Sequence, residues 1–109
     1  MCVYILDLKK HFEESPYSQR VAVGSSVEMR CLPPVGVPLP TVSWRRDGSQ
    51  LKVEQDTNII ISSEGSLVFA QARVEDSANY TCVAENVAAK RVSNRVQLQV
   101  YSKLFSKSM

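Results

Sequence analysis

Three cysteines and a single histidine are the side chains of this 109-residue chain best suited to act as nucleophile, soft metal ligand or redox group. Their spacing limits that chemistry. His11 stands in the charged stretch "LKKHFEESP", where nothing completes a Ser/His/Asp or Cys/His set, and no two cysteines are close enough in sequence to open a zinc signature. Neither catalysis nor a metal nor a cofactor is expected. Cys31 and Cys82 remain as thiols, ligands or halves of one bridge, and Cys2 has no partner in view. Two other kinds of chemistry are written in the chain. Asn79, Tyr80 and Thr81 spell an N-glycosylation sequon, whereas Asn58, Asn86 and Asn94 lack the hydroxyl two residues on. Lys90 and Arg91, with Arg95 close behind and the pair Arg45 and Arg46 further back, form a candidate polyanion-binding cluster.

Positioning these groups falls to strands. Apolar and polar residues alternate at period two in short runs, with turn residues between them, which is the pattern of an all-β sandwich or barrel. Strands are expected near Arg20 to Val23, Ser26 to Leu32, Thr41 to Arg45, Leu51 to Val53, Asn58 to Ile61, Ser66 to Ala72, Asn79 to Glu85 and Arg95 to Val100. Alternation then turns Val27, Met29, Cys31, Val42, Trp44, Leu67, Phe69, Tyr80, Cys82, Ala84, Val96, Leu98 and Val100 inward. Because Tyr80 faces in, Asn79 must face out, as a glycan acceptor requires. Turns fall at "VGSS", "RDGS", "SEGS" and the proline-rich "PPVGVPLP" of residues 33–40.

Length and charge exclude whole classes of function. A chain this long buries one core and supports one domain. Thirteen basic and eleven acidic residues leave a net charge of +2, so nucleic acid is not the expected partner. No apolar run approaches the ~20 residues that span a bilayer, and "MCVYIL" lacks the flanks of a signal peptide, so the segment itself makes no direct membrane contact. If the rest of the reading demands export, the chain is a piece of a longer precursor.

Cys31, Trp44 and Cys82 occur in an order that carries a resemblance. With "DSANYTC" placing Tyr80 two residues before the second cysteine, the chain resembles the immunoglobulin superfamily, intermediate set. The resemblance implies a two-sheet Greek-key sandwich, an inter-sheet Cys31–Cys82 disulfide, Trp44 packed over it, and a tyrosine corner at Tyr80. A loop of this size closed by a bridge gains about 4 kcal/mol in the chain-entropy account. More closely, "CLPPVGVPLPTVSW", "SLVFAQARVEDSANYTCVAEN" and "VAAKRVSNRVQLQVY" look like the second immunoglobulin domain of the repulsive netrin receptors, the uncoordinated class, over residues 12–101.

That likeness implies an extracellular part of a plasma-membrane receptor in axon guidance, with a netrin-type secreted ligand and other cell-surface proteins as partners, while the basic cluster adds heparan sulfate as an expected partner. It assigns residues 1–15 to the tail of a preceding domain and a linker, 16–101 to the domain, and 102–109 to a tail that does not look like the thrombospondin repeat expected next. Cys2 would end the preceding domain's last strand. Pro33, Pro34 and Pro38, together with "NVAAKRVSN", are expected at the end of the sandwich that receives the N-terminus, as a junction surface. Family members often pair the aspartate of the corner with an arginine at the start of the fourth strand. Here that region reads "QDTNIII", with Asp56 and Asn58, so Asp76 is expected to cap its own turn. The alternatives are an adhesion domain of another immunoglobulin family or an intracellular structural domain of the muscle type.

Overall fold

A computed structural model describes residues 5–102; Cys2 and residues 103–109 lie outside them. Eleven strands are formed among the described residues: β1 (Asp7–Leu8), β2 (Gln19–Ala22), β3 (Val27–Met29), β4 (Gly36–Val37), β5 (Thr41–Arg46), β6 (Ser49–Gln50), β7 (Ile59–Ile61), β8 (Leu67–Phe69), β9 (Ala78–Glu85), β10 (Lys90–Val92) and β11 (Val96–Tyr101). They make a large sheet in the order β2-β11-β9-β5-β6, with β10 also on β9, a second sheet β3-β8-β7, and the small pair β1-β4. All pairings are antiparallel except β2 on β11, which is parallel.

Period-two patterning drives this arrangement. In β11 the sequence V-Q-L-Q-V-Y is buried at every other residue, and β3 repeats the pattern with Val27 and Met29 inside and Glu28 outside. Between the sheets lie Met29, Cys31, Trp44, Leu67, Phe69, Tyr80, Cys82 and Leu98, all with no exposed surface. The Cys31–Cys82 bridge crosses this layer with its Cα atoms 6.5 Å apart. Trp44 donates its indole N–H to the Gly65 carbonyl at 2.8 Å, and Phe69 meets the Tyr80 ring edge-on at 5.8 Å.

Two buried serines complete the bridge's surroundings. The Cys31 amide donates to Ser66 Oγ at 3.3 Å, and the Cys82 amide donates to Ser93 Oγ at 3.0 Å. These hydroxyls satisfy backbone donors that no neighbouring strand reaches. Ladder pairing in β3 accordingly stops at Met29, short of the Leu32 expected from alternation.

Three local departures from the expected strands have physical causes. The strand expected at Leu51–Val53 is found instead at Ser49–Gln50, because Asp47 (φ 50°) and Gly48 (φ 84°) make a two-residue hairpin that pairs Arg46 with Ser49. Val53–Gln55 is a 3-10 turn instead. The stretch read as a linker is held along its length: Glu14 pairs with Leu32, Glu13 donates to the Leu32 carbonyl, and β1 pairs with β4. The buried Pro16 then separates this antiparallel segment from β2, which joins the opposite sheet.

Candidate functional site

Strand parity divides the arginines of the large sheet into two groups. On the inner face, Arg46 pairs across the ladder with Tyr80. Tyr80 donates its hydroxyl hydrogen to the Asp76 carbonyl at 2.6 Å and accepts from Arg46 Nε at 3.0 Å, so the corner expected from the sequence is present and carries an arginine besides. The guanidinium also lies 5.5 Å from the Tyr80 ring centre and 3.8 Å from the Asp76 carboxylate. Burial raises the Tyr80 phenol above its ordinary pKa, with Arg46 opposing.

Asp76, itself buried, caps the turn it sits in, accepting from the Arg73 amide at 2.9 Å. It also takes two hydrogen bonds from the Arg73 side chain, at 3.1 and 2.8 Å. Arg73, three residues upstream, thus supplies the cation that the "QDTNIII" segment lacks. Asp56 in that segment becomes a second acceptor for the same guanidinium at 2.7 Å. The Arg73 hydrogen bond, followed by the Asn58 amide, holds the Asp56 carboxyl below its ordinary range, and the two aspartates raise Arg73. The sequence signal for this lay in the spacing R-x-x-D at 73–76, a capping arrangement around a 3-10 turn.

The outer face differs. Arg45 pairs with Thr81 and Asn79 with Gln97, so Arg45, Thr81 and Asn79 project on the same side. Together with Arg95, Val92, Asp47 and Gly48 they line an open groove of about 400 Å³. The hairpin fixes one wall: Asp47 accepts from the Asn79 amide at 2.9 Å and donates its own amide to the Asn79 carbonyl at 2.7 Å. Asn79 therefore stands on a floor fixed by the hairpin, in the same groove as Arg45 and Arg95.

The remaining cations sit elsewhere. Lys90 is exposed and pairs with Glu85. Arg91 shares a face with Ala84 and donates to the Lys9 and Leu8 carbonyls at 3.1 and 2.8 Å. Of the five cations grouped from the sequence, Arg45 and Arg95 are brought together in the groove, Lys90 stands apart, and Arg46 and Arg91 point away into bonded positions.

Arg91 belongs to a lock at the end of the sandwich. Asn86 donates to the Asp7 and Pro38 carbonyls, both at 2.9 Å, and accepts from the Ala88 and Ala89 amides. All four of its hydrogen-bonding positions are filled. Gly36 permits the approach: a Cβ there would lie 2.8 Å from Leu8 Cδ1 and 3.0 Å from the Asp7 carbonyl oxygen. The N-terminus does reach the proline-loop end, but it does so as a paired strand. Around it Leu39 and Val87 are more than three-quarters exposed. The roles of Asn86 and Gly36 were not readable from the sequence, because their partners are remote in the chain.

The fold is shared widely. The model of the immunoglobulin I-set domain matches residues 10–100. Netrin receptor unc-5 of Drosophila melanogaster and netrin receptor UNC5D of Rattus norvegicus are each 39% identical over 99 residues, 91% of this chain. The chain spans about a tenth of the length of these curated relatives, 9% and 10% respectively. Among solved structures, the tandem Ig repeats of Dlar superpose with a TM-score of 0.79 at 26% identity, covering 85% of this chain and 48% of that one. A chimeric titin Z1Z2 superposes with a TM-score of 0.76 at 30% identity, covering 88% and 98%. With nearly its whole described length matched and the bridge, the buried tryptophan and the tyrosine corner in place, the chain belongs to the immunoglobulin I-set family.

Proposed function

We propose that this domain is an extracellular module of a netrin-receptor-type protein, which binds a secreted netrin-type ligand and spaces its neighbours in guidance signalling at the cell surface. The observation that carries the reading is the 39% identity to two netrin receptors along 91% of the chain. The bridge supports an oxidising compartment and hence the outside of the cell. The groove between Arg45 and Arg95 supports a second partner, a sulfated polysaccharide of the heparan class, held by ion pairs that are weak singly and additive together. An immobilised chain titrated with purified netrin tests the main reading. A saturable response supports it, and no response at micromolar ligand removes binding from the domain's role.

An intracellular structural role of the muscle type is the second reading, favoured by the titin superposition over 98% of that chain. The two separate on the redox state of Cys31 and Cys82. Alkylation of both thiols in freshly isolated folded protein would move the domain inside the cell.

A further inference from the structure

Asn79 is at once the sequon's acceptor and a wall of the groove that Arg45 and Arg95 line. Its backbone is fixed in two hydrogen bonds to Asp47, and Thr81, the sequon's hydroxyl, is the residue directly opposite Arg45. Arg45 therefore stands one same-face rung from the acceptor, and Arg95, immediately before β11, lines the same groove. An oligosaccharide attached to Asn79 Nδ2 must rise out of this same groove.

We infer that the Arg45–Arg95 groove is an anion site gated by glycosylation of Asn79: without the glycan it takes a sulfated polysaccharide, and with the glycan it is covered. The inference rests on the polysaccharide half of the function proposed above. Its logic is exclusion of volume. An N-glycan is bulky and hydrated, and its point of attachment lines the same groove as both arginines, so a sulfated chain lying across them must compete for the volume that the glycan's first sugars occupy. Lys90 stands outside the groove, opposite Glu85, and remains reachable in either form. The gate thus alters the strength of polyanion binding at one site without changing the sheet beneath.

The test compares two forms of the same chain, one secreted by mammalian cells and carrying the glycan, the other made in an oxidising bacterial compartment with Asn79 intact and bare. Each is eluted from heparin with sodium chloride, as parent and as the double variant Arg45→Glu/Arg95→Glu, with thermal melting as the folding control. The bare parent is expected to elute at higher salt than the glycosylated parent. In the bare form the double variant should lower elution and flatten the dependence of log affinity on log salt by roughly two, about one per cation removed. In the glycosylated form it should change nothing. Equal elution of both parents, with the double variant acting on both alike, overturns the gate and leaves polysaccharide binding standing. An unmodified Asn79 peptide from the mammalian material also overturns it. Retention of neither form removes the polysaccharide reading and the gate together, and none of these outcomes bears on netrin binding.

Discussion

Arg45 and Arg46 are neighbours in the chain and end on opposite sides of one sheet. Arg46 enters a corner where a phenol and a carboxylate surround it, while Arg45 borders an open groove beside a glycan acceptor. The same side chain is structural in one place and available in the other, and only the parity of the strand decides which. Charge clusters counted along a β-rich sequence therefore overstate the surface they make. Arg91 repeats the lesson at the lock, where its guanidinium is spent on the Leu8 and Lys9 carbonyls.

The contrast between a sealed interior side and an open outer face is sharpened by substitutions on each. The largest loss is expected from Cys31→Ala/Cys82→Ala: the bridge closes a sequence separation of 51 residues, and its removal should lower unfolding free energy by about 4 kcal/mol, read by urea denaturation. Tyr80→Phe comes next. It deletes the hydrogen bond to the Asp76 carbonyl and leaves Arg46 Nε without its acceptor, at about 2 kcal/mol by the same measurement. Arg91→Glu should cost about 1 kcal/mol, since two carbonyls of the N-terminal strand lose their donor. On the outer face, Arg45→Glu should shift stability by less than about 0.5 kcal/mol. If Arg45→Glu proves as damaging as Arg91→Glu, the division between the two faces is broken.

The smallest effect concerns pH. Arg73 and the Asn58 amide hold Asp56 below its ordinary pKa, so as pH falls the unfolded chain takes up this proton before the folded one does. The resulting stability is fully present above the unfolded value of about 4 and drains away as pH drops through the folded value. Asp56→Asn should remove that component, leaving a shallower decline in melting temperature between neutral and acidic buffer than the parent shows.

Much of this was legible in the sequence because the signals were local or strongly patterned. Alternation identified the strands that meet in the core, and the order of Cys31, Trp44, Tyr80 and Cys82 carried the fold and the bridge. What escaped was set by contacts between remote segments. Nothing near Asn86 announces that it will bind Asp7 and Pro38, and nothing near Gly36 announces the Leu8 side chain that excludes a Cβ. The split of the basic cluster was missed: with the strand expected to end at Arg45, both arginines were grouped as surface charge, and the partners that hold Arg46 inside come from β9 and the turn before it. The position of β6 turned on the Asp47–Gly48 hairpin, a turn recognised as such whose tightness advanced the strand.

The parallel pairing of β2 with β11 has a mechanical consequence. Gln19 to Ala22 run alongside Leu98 to Tyr101, so a tether pulling the N-terminal side of β2 against the C-terminal side of β11 drags the two strands past each other lengthwise. Their rungs then bear the load together in shear, where an antiparallel hairpin pulled from its open end would yield one rung at a time. Arg20, stacked 4.7 Å from the Tyr101 ring centre, adds a contact across the same seam. Tension from the N-terminal side must first open the pairings of β1 and Glu14, and the seam of β2 and β11 then carries it across all its rungs at once.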